Sequence, residues 1–490
     1  MSYKQLVDKD KVDKYSPEKF DKFFNVAMTS TLQEEFYSKK SEQTEETIKI
    51  HKEAIKDNRK IYSLSLLLPI NDIHKMLIIK NLIEDKEVVS TDKITENNII
   101  LDCLKKMPIH RAYKTLYMLA LNKTNNARTK WVSRQFIIEN KQHIYTHALK
   151  YKRLLKVIFR HNHIMTEKLL GIAYVDIERF IFKKDMDKIT DKDFKNYIKA
   201  KTDKEAVFKL PYSVAVGFKN LHKIDDKEFM EKIKCKLTIN EQKRIQNKAQ
   251  EVGVKVDIDL TKYNLVDLFK YFRSKPGEKL NDIKLADLVH KRGHIEGKPL
   301  KEYFMFDQVS VLVDSSKSME GSDEKKYHPI SVAQAVSFVL AELGKETTII
   351  DDCMFNGKPK GHTEIGRKLL ELLKNLDMEK ENLVVVISDG FENNVEGMTH
   401  QILYAYKKKI DKKDKVLILH LNPVFDPKTG NVRKLSELMK TYGVRDTKQL
   451  FMILLLALVS HKNDKKLKKT LKGLEKKITV RKRKKKVSKK

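Results

Sequence analysis

Cysteine is scarce in this 490-residue chain: Cys103, Cys235 and Cys353 are the only three, and they lie far apart. A sparse, odd set supplies neither a disulfide framework nor a zinc-ligand spacing, and reduced intracellular thiols are the simplest reading. Glycine and proline are also few, 16 and 10, and there is no glycine-rich phosphate loop. No nucleophile stands paired with a base. Asp351, Asp352 and Asp389 read as strand-end residues rather than nuclease carboxylates. One apolar run stands out, LFMILLLALV at 450–459. It falls short of the roughly 20 residues that span a bilayer and reads as a buried helix. The N-terminal MSYKQLVDKDKVDKY has no apolar signal core. These absences argue against secretion, membrane spanning and catalysis, and for a cytoplasmic binding protein.

What is abundant is positive charge. Lys and Arg number 100 against 67 Asp and Glu, a formal charge of +33. Such an excess attracts polyanions, with RNA, DNA and an anionic membrane surface as the candidates. A coding sequence rich in A and T would also raise Lys, Ile and Asn and lower Gly and Pro. With 41% hydrophobic residues, the chain can bury real cores, and its length suits two to four domains at about 100–200 residues each.

From about residue 15 to 300 the pattern predicts helices joined by short polar loops. Ser16-Pro17 marks a helix start, with Phe20, Phe23, Phe24 and Ala27 on one face. Helices are expected over 111–121 and 130–138, separated by 122–126, and over 147–159. Asp257 to Leu260 offers a short strand. The whole suggests a HEAT-like array of helix pairs without a fixed sequence period. From 303 to 461 the grammar changes to alternating strands and helices. Strands are expected at 309–313, 347–350, 383–387 and 416–421. Helices are expected from Pro329, around 365–376, over 398–409, near 433–442 and over 447–461. Strands apolar on both faces imply a doubly wound, Rossmann-like sheet covered by helices. The fold class is therefore α + α/β. Residues 462–490, ending RKRKKKVSKK, form a basic tail expected to be disordered and to contact polyanions without sequence choice.

The first predicted strand runs into Asp314-Ser315-Ser316-Lys317-Ser318, where such a sheet places its site. Neutral hydroxyls and one carboxylate suit a hard cation such as Mg²⁺, leaving it able to attract an acidic oxygen from a partner protein. Lys317 is expected to face solvent. In the helical part, Arg111, Lys114, Arg128, Lys130 and Arg134 surround a helix–loop–helix. Arg153, Lys156 and Arg160 recur on one helix face, suited to phosphates. Tyr113, Tyr117, Trp131, Tyr145 and Tyr151 interleave with them, and aromatic rings stack on unpaired bases.

The Asp-x-Ser-x-Ser run resembles the metal-ion-dependent adhesion site of the von Willebrand factor A family. That family adds a Thr before the second main helix and an Asp after the next central strand. Thr363 and Asp389 stand at the matching places, so the resemblance implies a divalent-metal site of Asp314, Ser316, Ser318, Thr363 and Asp389. The order of parts resembles the Ro autoantigen, or TROVE-domain, family, in which helical repeats are followed by an A domain. The segments PIHRAYKTLYMLALNKTNNA at 108–127 and LPYSVAVGFKNL at 210–221 are similar to that family's. The resemblance implies binding of small structured or misfolded RNA, through single-stranded ends, in RNA stability or quality control. The alternative is a protein-interaction scaffold whose metal site grips an acidic residue of a partner.

Overall fold

The computed structural model describes residues 23–24, 26–28, 40–57, 59–85, 90–256, 259–274, 282–322, 326–353, 357–361, 364–424 and 432–460. Pro17, Phe20 and the tail from 462 lie outside them. By their contacts the described residues form two units, one drawn from 59–67 and 72–262, the other from within 1–58, 68–71 and 263–490. The sheet-bearing unit thus takes in helices Leu265–Ser274 and Asp282–Lys301 as well as the segment from Phe306 onward.

The first unit is helical throughout its described residues. The helices Ile109–Leu121 and Ala127–Glu139 flank the expected polar loop, and Asn126 caps the second by accepting from the Thr129 amide. The helix expected over 147–159 is two, Ile144–Lys150 and Lys152–Asn162. The break falls at Tyr151, whose backbone leaves the helical region (φ −125°, ψ 29°) while its ring packs on Tyr113 and His147. An unbroken apolar period conceals such a corner. The core is aliphatic and aromatic, with Tyr113, Leu116, Val132, Phe136, Leu155, Ile158, Ile177, Phe180 and Phe194 fully buried. Val254 to Val256 and Asp259 are not in a strand, Leu260–Lys262 is a 3₁₀ turn, and residues 257–258 lie outside the described set.

The second unit holds five parallel strands: Phe306–Val313 (β1), Gly344–Ile350 (β2), Asn382–Ile387 (β3), Leu417–Asn422 (β4) and Lys440–Gly443 (β5), in the order β2-β1-β3-β4-β5. Every residue of β3 and β4 is buried, as a sheet covered on both faces requires. Leu312, Val384, Val386 and Ile418 face the helices Ile365–Lys374 and Met398–Lys409. The helix His328–Ala341, buried from 329 to 340, packs on β1 and β2. It is sandwiched because Leu265–Ser274 and Asp282–Lys301 cover its outer side. Gly297 permits that approach, since a Cβ there would sit 2.7 Å from the Glu342 Cβ.

The helix expected near 433–442 is instead an irregular segment leading into β5. Leu435, Leu438, Met439 and Tyr442 mimic a helical stripe, but the first three pack against the sheet's helical layer from bends and turns. Phe23, Phe24 and Ala27 are buried, as their shared face predicts. Among the described residues no helix is long and apolar enough to cross a membrane.

One buried ionic knot ties the first unit. Glu96 accepts from Arg59 (2.8 Å) and Arg128 (2.9 Å), and Arg59 also reaches Asp85 (2.6 Å). Glu96→Ala should destabilise this unit by about 3 kcal/mol, because the largely buried Arg128 guanidinium loses its counter-charge and Arg59 keeps only Asp85. Urea denaturation checks this; a loss under about 0.5 kcal/mol, the scale of a surface substitution, would show the knot to be dispensable.

Candidate metal centre and nucleic-acid interface

β1 and β3 are neighbours whose following helices cover opposite faces of the sheet, which opens a crevice at their carboxyl ends. Asp314 follows β1 and its amide donates to the Ile387 carbonyl at 2.9 Å, so it lies beside the end of β3. Its Oδ1 accepts from the Ser316 amide (2.9 Å), while its Oδ2 is buried without a hydrogen-bond partner. Ser316 Oγ and Ser318 Oγ lie 3.0 Å apart. Asp389 follows β3 and is 4% exposed; its Oδ1 accepts from the Phe391 amide (3.0 Å). Burial pushes the Asp314 carboxyl up to about 6, partly opposed by hydrogen bonds from Ser316, and the Asp389 charge adds to the rise. Lys317 points outward and pairs with Glu320.

An orphaned carboxylate oxygen, a pair of adjacent hydroxyls and a second carboxylate fit a hard divalent cation. Among the described residues no group of three or more His, Cys, Asp and Glu could hold a metal, so any ion here depends on hydroxyl oxygens. Thr363 lies outside the described residues. The loop leading to it is tied to the serine run, because the Lys360 amide donates to the Ser315 carbonyl (2.9 Å) and the Lys317 amide to that of Gly361 (3.4 Å).

The supports of this site were not evident in the sequence. Arg273, 4% exposed, donates to the carbonyls of Gly357 (3.2 Å) and Cys353 (3.3 Å) and to Gln334 (2.6 Å), anchoring the loop before Gly361. Glu392 accepts from the amides of Gly366 and Thr399, joining the N-termini of two helices. Gly390 (φ +81°) admits the Arg433 carbonyl, which would stand 2.7 Å from a Cβ. Behind it the fully buried His420, its imidazole lowered to about 4 by burial, meets Ser388 Oγ at 3.0 Å.

In the helical unit the sequence-predicted cations separate into two kinds. Arg128 is committed to Glu96, Asn97 and the Leu82 carbonyl, and Arg134 reaches the terminal carbonyls of Asn162 (3.5 Å) and His163 (3.4 Å). Arg128 is therefore committed to the fold, while Arg134 is exposed and touches only a helix end. Arg111, Lys114, Lys130, Arg153, Lys156 and Arg160 form no ion pair or hydrogen bond through their side chains among the described residues. Arg160 lies over the Phe182 ring (5.7 Å). Arg244, absent from the sequence reading, bears on His110 together with Arg111 and Lys114; burial first, then these charges, lower that imidazole. Of the aromatics, Tyr113 is core with its hydroxyl 3.0 Å from His147, and Tyr145 donates to the Ala173 carbonyl (2.5 Å). Tyr117 and Tyr151 are half-buried, and Trp131 is 39% exposed.

A helical array joined in one chain to a doubly wound parallel sheet with a strand-end oxygen site defines the architectural class. No family model matches the chain and no curated protein matches it. Among solved structures, the Ro (RSR) protein of Deinococcus radiodurans is similar over 90% of this chain and 99% of that one, with 11% identity and a TM-score of 0.50. The chain has the Ro fold.

The raised Asp314 carboxyl sets a pH signature for the metal-free protein. With the group at about 6 folded and 3.8 as its ordinary value, the folded state holds an extra proton between those values. Stability therefore falls as pH climbs through that window. In chelator at pH 7.5, Asp314→Asn should raise stability, by up to about 3 kcal/mol. The gain should vanish at pH 3.5, and equal stability of both proteins at pH 7.5 would refute the buried charge.

Proposed function

We propose that this protein is a Ro-like RNA-binding protein that holds single-stranded ends of small structured or misfolded RNA, and that its sheet domain binds Mg²⁺. One observation carries the RNA reading. Arg153, Lys156 and Arg160 share a face of the Lys152–Asn162 helix, and none has an ionic partner among the described residues. Cations left without carboxylates are available to phosphates, and the exposed face of Trp131 offers a base-stacking surface. The resemblance to the Ro family supports the choice of RNA. A role in RNA stability or quality control follows from that resemblance.

RNA binding is tested by fluorescence anisotropy with a blunt duplex and with the same duplex bearing a single-stranded tail. The tailed RNA should bind more tightly. Replacing Arg153, Lys156 and Arg160 together by Ala should weaken it and reduce the slope of log affinity against log salt by about 2, the loss of three single-strand phosphate contacts. Equal binding of the two RNAs, or an inert triple substitution, would favour the scaffold reading.

For the metal, Ser316 and Ser318 would supply hydroxyl oxygens, Thr363 a third, and Asp314 and Asp389 charge in or just behind the ligand shell. When bound, the ion would offer a Lewis-acidic position to an acidic oxygen of a partner. Ser316→Ala with Ser318→Ala should abolish Mg²⁺ binding in calorimetric titration without altering thermal unfolding in chelator. Unchanged Mg²⁺ affinity would overturn the assignment.

A further inference from the structure

We propose that Lys152, Lys156, Lys183 and Lys201 form a binding site for a multiply charged phosphate group, which on the RNA reading above is the terminal phosphate of the bound strand. Three helices build it. Lys152 opens the Lys152–Asn162 helix, and its Nζ lies 3.7 Å from the centroid of Phe180 and 5.6 Å from that of Tyr197. The rings form a fixed floor: Phe180 stacks on Phe194 (4.1 Å, 4°) and meets Tyr197 edge-on (5.0 Å, 88°). Lys183 stands one turn after Phe180, immediately beyond Val175–Phe182, in the left-handed conformation (φ 58°) with its amide on the Arg179 carbonyl. Lys201 stands one turn after Tyr197, its amide on the Ile198 carbonyl. The two rings that receive Lys152 thus bring two further lysines with them, and Lys156 comes from the next turn of the first helix.

Some lysines of this unit find carboxylates: Lys188 pairs with Asp185, Lys204 with Glu228, and Lys232 with Glu205. None of the four has an ion pair or hydrogen bond through its side chain among the described residues. Burial lowers the Lys152 amine to about 8, and the charges that act with burial are Lys183, Lys201 and Lys156, with no carboxylate among them. The cation–π contact offsets part of the desolvation, but mutual repulsion is left without a counter-ion. An anion would relieve it, and four like charges acting together exceed what a single phosphodiester charge balances. A terminal phosphate or a di- or triphosphate matches better. From there Lys156 and Arg160 lead along the helix for about 12 Å at its 1.5 Å rise per residue, a path for the strand that follows.

The test uses the full chain and single-stranded RNA ten nucleotides long, ending in a 5′-hydroxyl, a 5′-monophosphate, a 5′-triphosphate or a 3′-phosphate. One phosphorylated end should bind at least about tenfold more tightly than the hydroxyl end, the worth of one charge-assisted hydrogen bond. The double variant Lys183→Asn/Lys201→Gln keeps residues tolerant of the local backbone. It should lose that preference while binding the hydroxyl-ended RNA as wild type does. Inorganic pyrophosphate supplies a readout independent of RNA. Titrated into reductively ¹³C-methylated protein, it should raise the pKa of the Lys152 signal in wild type and leave the double variant unmoved. Pyrophosphate binding lost in the variant, with no RNA binding by either protein, would support the anion site and overturn the RNA reading. RNA binding indifferent to terminal phosphate, with no response to pyrophosphate, would overturn the site and leave the RNA reading standing.

Discussion

The parallel pairing of β1 with β3 is the constraint on which the sheet domain's site depends. It sets Val313 opposite Ile387, so that the residues emerging from the two strands, Asp314 and Asp389, meet at one edge of the sheet. Because β2 lies on the other side of β1, the connections after β1 and β3 leave in opposite directions. Two carboxylates are thereby held close in a buried place, and their repulsion is built in by the backbone. The loops then reduce its cost: the Ser316 and Phe391 amides turn toward one oxygen of each carboxylate, and the second oxygen of Asp314 is left unmatched.

Much of this was legible because it is local. A largely apolar, Val-rich run ending in Asp, followed by small hydroxyl residues, specifies strand, strand end and loop within ten positions. The strands at β1 to β4 and the helices between them follow from the same local rules. The hidden features are those in which a distant residue decides the outcome. Arg273 looks like any cation on an amphipathic helix, yet it anchors a loop more than 80 positions away. Leu435, Leu438 and Met439 carry a helical spacing, yet their segment stays irregular, because burial of three apolar side chains does not by itself require a helix. Tyr151 breaks a helix for its ring contacts, which no periodicity records.

The cations show the same division. Sequence alone grouped Arg128 and Arg134 with Arg153, Lys156 and Arg160, since all lie on helices at compatible spacing. Arg128 differs because it and Arg59 converge on Glu96 from different parts of the unit, and Arg134 because a helix end presents its carbonyls there. Composition gives an excess of 33 positive charges but not their locations. The informative distinction is between a cation that the fold has already neutralised, as Glu96 does Arg128, and those without a carboxylate partner among the described residues.

The likeness to the Deinococcus radiodurans Ro protein at 11% identity follows from what a fold of this kind requires. Cores accept many apolar substitutions if volume and pattern persist, and this chain fills its interior largely with Ile, Leu, Val and Phe. Few positions are held more tightly. Gly297 admits a neighbouring helix at a distance no side chain would allow, and Gly390 combines a positive φ with a carbonyl pressed against it. Asp314 and Ser316 are held by a different requirement. A carboxylate with a buried, unpartnered oxygen works against folding, and replacing it by an amide would relieve the charge. Its presence at the strand end is therefore a property that stability alone does not select.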